Sequence, residues 1–329
     1  MNYVVLDLEW NQCAEGKAYS CVDVPFEVIQ IGAVRLDENF NEVSQFDRYV
    51  KPAIYKKLHA KVEEILGITM EEIVATGEDF DDVAKDFLDW CGEDYIFCTW
   101  GSTDLVELQR NMNFYKVNYK FPKPFLFYDL QKLYSICFSD GKSRLTLQHA
   151  IEEQQLEELD NYHSAGADAR YAAMILKRLD FERVKKYYSV DTYRIPDNKK
   201  EEVYLNFGSY GKYISRGFSS KERAAQDKEV KNCQCFICGK PMKRHIKWFA
   251  TNAKSYYGLF ECEEHGLIKG RFRIKSTDND RYYAIRILKL TDDAGAEKIR
   301  LKKKREQEHR RIIRRKIDEG EAEKTDNRI

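Results

Sequence analysis

The chain has 329 residues, equal numbers of basic and acidic side chains, 43% apolar residues and nine cysteines. That length predicts about two domains, at roughly 100–200 residues each, with ample material for buried cores. It excludes a small disulfide-stapled module, and no apolar run approaches the ~20 residues of a membrane span. Asp7 and Glu9 stand where a secretory signal would be apolar, so reduced thiols and a cytoplasmic location are expected.

The first element is a strand, Tyr3 to Leu6, that closes on Asp7-Leu8-Glu9. Residues two apart on a strand share a face, so both carboxylates project together. Such a pair is costly to bury unless a cation sits between the acids, and oxygen ligands suit Mg²⁺ or Mn²⁺. Taken alone, the pair reads equally well as two solvated acids on an edge strand. A second strand runs through Glu27-Val28-Ile29-Gln30-Ile31-Gly32-Ala33-Val34. Farther on, Ser102 or Thr103 caps a helix carrying Leu105, Leu108 and Met112 on one face, which sets Asp104 in the first turn. The helix dipole favours an acid there on structural grounds alone. His163 and Asp168 flank Ser164-Ala165-Gly166-Ala167, which opens a helix through Tyr171, Met174, Ile175 and Leu179. Small residues let that helix start approach a neighbour closely, so both side chains reach one cleft.

In order and context these motifs resemble the DnaQ-like (DEDDh) 3′–5′ exonuclease superfamily over Met1 to Leu179. The matching residues are Asp7-x-Glu9 with the following hairpin strand, Asp104, and His163-Ser164-Ala165-Gly166-Ala167-Asp168-Ala169. Tyr49-Val50-Lys51-Pro52, Leu66-Gly67-Ile68-Thr69 and Ser143-Arg144-Leu145-Thr146-Leu147 match in place as well. Trp100-Gly101-Ser102 ahead of Asp104 is most similar to the Eri-like, RNase T-like branch, whose better-known members trim RNA 3′ ends. Two positions depart from the pattern: Trp10 replaces a common Thr, and Gln30 stands where an acid is common. The resemblance implies an RNase H-like α/β fold, with a mixed sheet of about five strands and helices on both faces. It also implies two Mg²⁺ or Mn²⁺ ions held by Asp7, Glu9, Asp104 and Asp168 across the scissile phosphate. His163 would be the general base, and nucleoside 5′-monophosphates would leave from a single-stranded 3′ end. RNA is the favoured substrate, with Trp10 near the terminal nucleotide. The alternatives are a DNA-directed exonuclease, or a nucleic-acid-binding or regulatory zinc-ribbon protein whose nuclease site is idle.

Pro196-Asp197-Asn198 signals a turn after the helix at Leu179–Tyr188, so the nuclease domain is set at 1–190 and a connecting segment at 191–228. That segment's Tyr, Phe, Lys and Arg residues suit either a stacking track for single strands or an ordered linker. Residues 229–292 read as a small β-rich zinc ribbon. Cys235-x-x-Cys238 and Cys262-x-x-His265 form two ligand pairs, each followed by a glycine, and four such ligands close a tetrahedral structural Zn²⁺ site. Cys233 stands as a substitute ligand. Trp248, Phe249, Tyr256 and Tyr257 interleave with lysines and arginines, as a binding surface or as the module's core. Residues 293–329 are a basic helix or solvated tail. The neutral total hides a division: residues 1–200 hold 24 Lys and Arg against 35 Asp and Glu, net −11, and residues 201–329 hold 31 against 20, net +11. An acidic metal-binding half joined to a basic half suits a partner that is a polyanion.

Overall fold

A computed structural model describes residues 1–157 and 163–326, with the backbone alone from 315. The chain divides into two compact units, Met1–Arg194 and Ile195–Ile329.

The first unit runs β1 (Asn2–Gln12), β2 (Phe26–Leu36), β3 (Glu42–Tyr49), α1 (Ala60–Leu66), α2 (Met70–Thr76), α3 (Phe80–Cys91) and β4 (Tyr95–Thr99). It continues through α4 (Thr103–Phe114), β5 (Leu126–Asp129), α5 (Leu130–Phe138), α6 (Leu147–Glu153), α7 (Ala165–Arg178), α8 (Phe181–Val184) and β6 (Ser189–Val190). The sheet order is β3-β2-β1-β4-β5-β6. The opening meander β1-β2-β3 is antiparallel, β1-β4-β5 is parallel, and β6 is antiparallel to β5. This is the mixed, doubly covered sheet of an RNase H-like domain. It has six strands where about five were expected, the extra one being the two-residue β6.

Both faces are buried, which the near-continuous apolar runs of β1 and β2 require. Val4, Leu6 and Leu8 face a core built with α3 and α4. Tyr3 and Val5 face the opposite core, with α5, α6 and α7. β1 lies in the middle of the sheet, so its residues are fixed from four sides.

The second unit holds β7 (Val203–Asn206), β8 (Tyr210–Ile214), α9 (Lys221–Gln226), β9 (Lys243–Asn252), β10 (Ser255–Cys262), β11 (Gly266–Ser276), β12 (Tyr282–Leu290) and α10 (Asp293–Asp326). Its sheet is antiparallel, in the order β7-β8-β12-β11-β10-β9. The segment read as a connector therefore supplies two strands and a helix to this sheet. Ring contacts decide the role of its aromatics: Trp248 lies 5.0 Å from both Phe260 and Phe272, and Tyr256 stacks on Phe272 at 4.3 Å. They form the core. The basic C-terminal run is helical, and Ala296 and Ile299 anchor its start on Ile246 and Leu259. Among the described residues, no helix is long and apolar enough to cross a membrane.

Candidate active site and zinc centre

Asp7 and Glu9 continue the row of Tyr3 and Val5, so they emerge from β1 toward α7 at the point where apolar side chains end. A bulge after Glu9 breaks the alternation, as bulges beside functional sites often do. Beyond it Trp10 is half-buried, packed on the α3/α4 core with its ring 6.1 Å from Phe26.

Bringing α7 to these acids requires space. Gly32 is the register partner of Asp7 across β1 and β2, and a Cβ there would lie 2.1 Å from the Ala165 carbonyl carbon and 2.2 Å from the Gly166 nitrogen. A Cβ on Gly166 would in turn meet Asp47 Oδ2 at 2.2 Å. The start of α7 thus rests directly on the sheet. Ser164 Oγ caps it by accepting from Ala167 N–H at 3.3 Å. Gln30, opposite Glu9, accepts from Ala165 N–H at 3.1 Å and donates to Asp47 Oδ1 at 2.7 Å. The neutral amide at this position serves as a clamp that both accepts and donates, which a carboxylate cannot do.

The result is a cluster in which Asp7, Glu9 and Asp168 each offer an oxygen, all within 4.8 Å of one another. Asp104 arrives from the first turn of α4, buried, and takes a hydrogen bond from the Leu8 backbone. Its charge acts on both Asp7 and Glu9. His163, half-buried just ahead of α7, has φ 66°, a left-handed conformation in which His is enriched. Burial raises the Asp168 carboxyl, and His163 offsets part of that rise. All five residues named from the sequence come to this region. Sequence reasoning missed Gln30 as a clamp, together with Gly32 and Asp47; the hairpin register opposite Asp7 is the signal that finds Gly32.

Burial first, then the neighbouring acids, pushes Asp7 well above the carboxylate range and Glu9 up to about 8. Burial also carries Asp104 up to about 7. Without ions, these acids keep protons that an unfolded chain would release. Their contribution to stability is therefore full below about pH 4, and it is lost as pH climbs toward the raised values. In EDTA, Tm should fall between pH 5 and pH 8, and the fall should shrink in Glu9→Gln. Millimolar Mg²⁺ should restore Tm more at pH 8 than at pH 5, because binding displaces protons at the lower pH. A Tm in EDTA equally pH-dependent in both proteins would refute this coupling.

In the second unit Cys235, Cys238, Cys262 and His265 form the other cluster able to hold a metal among the described residues. Cys238 and Cys262 Sγ lie 3.6 Å apart, and His265 Nδ1 lies 3.7 Å from Cys235 Sγ and 3.5 Å from Cys262 Sγ. A tetrahedron with Zn–S of about 2.3 Å and Zn–N of about 2.0 Å has edges of roughly 3.5–3.8 Å, so the donor set fits zinc. Gly239 and Gly266, each with φ 73°, turn the two knuckles. Cys233 lies outside the four, its Sγ donating to Lys231 O at 3.1 Å. Burial opposes ionisation of Cys262, but hydrogen bonds from His265 and the local backbone bring it down to about 6.

Residues 4–176 match the family model described as an exonuclease, RNase T. Among solved structures, the nuclease domain of 3′hExo, a DEDDh family member bound to rAMP, is similar at 21% identity and a TM-score of 0.47, covering 58% of this chain and 96% of that one. Cell-death related nuclease 4 gives 22% identity and a TM-score of 0.46, covering 61% and 73%. The zinc-bound complex of Escherichia coli exonuclease I with single-stranded DNA gives 21% and 0.45, covering 56% and 41%. No curated protein matches the chain.

Proposed function

The chain belongs to the RNase T exonuclease family, and on that premise we propose that it is a DnaQ-like DEDDh 3′–5′ exonuclease that trims single-stranded RNA 3′ ends by two-metal hydrolysis. The observation that carries the proposal is the convergence of Asp7, Glu9 and Asp168 within 4.8 Å, with Asp104 electrostatically joined to them. An all-carboxylate donor set suits hard cations. Asp7, Glu9, Asp104 and Asp168 would hold two Mg²⁺ or Mn²⁺ ions, which when bound supply charge stabilisation at the phosphate and at the leaving 3′ oxygen. His163 takes the proton of the attacking water, with Asp168 beside it to favour the imidazolium that forms. A nucleoside 5′-monophosphate leaves, and a new 3′ hydroxyl enters the site. We assign contact with the terminal nucleotide to Trp10, which follows Glu9 at the bulge.

The preference for RNA over DNA rests on the Eri-like Trp100-Gly101-Ser102 preceding Asp104. In this stretch Trp100 Nε1 donates to Leu145 O at 3.1 Å, which ties it to the matching Ser143–Leu147 stretch. We assign one structural Zn²⁺ to Cys235, Cys238, Cys262 and His265, on the strength of their mutual distances. Nine unpaired cysteines agree with work in a reducing cytoplasm.

The test is digestion of 5′-labelled RNA and DNA of one sequence with Mg²⁺ or Mn²⁺, comparing the native chain with His163→Ala. We expect a ladder shrinking from the 3′ end, faster on RNA, with the variant slower by about 10²–10⁴-fold, the range of a lost general base. Equal rates on RNA and DNA would reject the RNA preference. A variant as fast as the native chain would reject His163 as the base.

A further inference from the structure

The second unit carries a cavity of about 560 Å³ to which Lys228, Lys231, Arg244 and Lys247 all contribute, with Asn232 and half-buried Trp248 in the wall. Its volume falls in the range of ligand sites, and no carboxylate lines it. The nearest acids in sequence are already engaged. Asp227 pairs with Arg216 at 2.9 Å, and Glu229 Oε1 accepts from Asn232 Nδ2 at 2.9 Å. None of the four cations forms an ion pair among the described residues. Four exposed positive charges around one concavity create a field that selects polyanions.

A second observation shows that the cavity is built rather than accidental. Lys228 and Lys231 stand on the loop between α9 and the first zinc knuckle, and that loop's backbone is held at nearly every step. Arg286, 7% exposed and stacked on Tyr213 at 4.7 Å, donates to the carbonyl of Glu229 and, at 3.2 Å each, to those of Val230 and Asn232. Trp248 Nε1 donates to Lys231 O at 3.0 Å, so one wall of the cavity clamps the segment that forms the other. Asp227 Oδ1 receives the N–H groups of Glu229 and Val230 at 2.8 and 3.1 Å. Burying a guanidinium to fix a surface loop is expensive, and the fixed loop then displays its lysines with little ordering left to pay on binding.

We infer that this cavity is a preorganised phosphate site that grips the backbone of the single strand on which the nuclease unit acts. The inference rests on the nucleic-acid substrate of the proposed function and adds a second binding module on the same chain. Linkage of two modules raises their joint affinity without a new contact.

The experiment uses the full chain with Asp7→Asn, to stop degradation, and a fluorescein-labelled 20-nucleotide RNA followed by anisotropy at several salt concentrations. Lys231→Glu with Arg244→Glu should weaken binding at least tenfold at 0.1 M salt. The slope of log K against log salt should become shallower by about 1.4, since each lost contact to a single strand contributes about 0.7. The charge-preserving pair Lys231→Arg and Arg244→Lys should keep both affinity and slope. An unchanged slope on charge reversal would overturn the inference, as would an equal loss in the charge-preserving pair, which would mark a structural role. Displacement of the strand by micromolar AMP that vanishes on charge reversal would overturn it in favour of a mononucleotide pocket. Hydrolysis of the same RNA by the unmutated chain with Mg²⁺ is measured alongside. Its absence would count against the nuclease reading and leave the binding result standing.

Discussion

Asp7→Asn should lower exonuclease turnover at least 10³-fold, equivalent to about 4 kcal/mol of transition-state stabilisation, while raising Tm in EDTA above that of the native chain at pH 8. Both effects follow from one position. Asp7 stands at the centre of the acidic cluster, with burial, Asp104, Glu9 and Asp168 all acting to raise its carboxyl. Asparagine has the same shape and no charge, so it relieves repulsion in the ion-free protein and leaves the packing of β1 intact. The same change removes an anionic ligand from the point where Glu9 and Asp168 converge, and a neutral amide oxygen is a poor substitute for a hard cation. The two readouts, rate and ion-free Tm, should therefore move in opposite directions. Turnover within tenfold of native at saturating Mg²⁺ would remove Asp7 from the ligand set, and a lower Tm in EDTA would show that its charge is compensated in some other way.

Gly32→Ala should be the most damaging single methyl in the nuclease unit. The added Cβ meets backbone at 2.1, 2.2 and 2.3 Å, from Ala165 and Gly166, and backbone cannot rotate aside. Relief requires lifting the start of α7 off β2, at a cost of about 3 kcal/mol or more, the upper range for overpacking. For a unit of this size that is roughly 6–12 °C in Tm. Asp168 and His163 ride on the same helix start, so the displacement also separates them from Asp7 and Glu9. A shift of ~1 Å is enough to cost about 10²-fold in rate. Gly166→Ala provides the contrast, because its obstruction is the side chain of Asp47. Adding Asp47→Ala should restore much of that variant's stability, less the hydrogen bond to Gln30, and should do nothing for Gly32→Ala. Measured Tm and kcat for the four proteins decide the matter; a Gly32→Ala chain with native Tm would show that the α7 contact is loose.

What could be read from the sequence was whatever local chemistry records. The alternation of β1 shows that Asp7 and Glu9 share a face, and the small residues at 164–167 show that α7 starts against something close. The two paired-ligand motifs set the spacing of the zinc donors. Gln30 escaped notice because its role is a long-range hydrogen bond, to the N–H of Ala165, which no window around Gln30 contains. β7 and β8 escaped for a related reason. They are short, and the hairpin they form joins its sheet only through the pairing of β8 with β12, far along the chain. Trp248 and Tyr256 could be read as core or as a binding surface, since an aromatic ring between lysines has the same sequence signature in both settings. The core reading won through the stacked rings about Phe272.

The central place of β1 has a consequence for biosynthesis. β1 needs β2 on one side and β4 on the other, and the site it carries needs α7 laid over β1 and β2. Asp168 follows Asp7 and Glu9 along the chain only after every strand of the central sheet except β6. No shorter nascent chain can gather the full set of carboxylates. The exonuclease is thus silent during synthesis until most of its nuclease unit is free to fold, a delay written into topology.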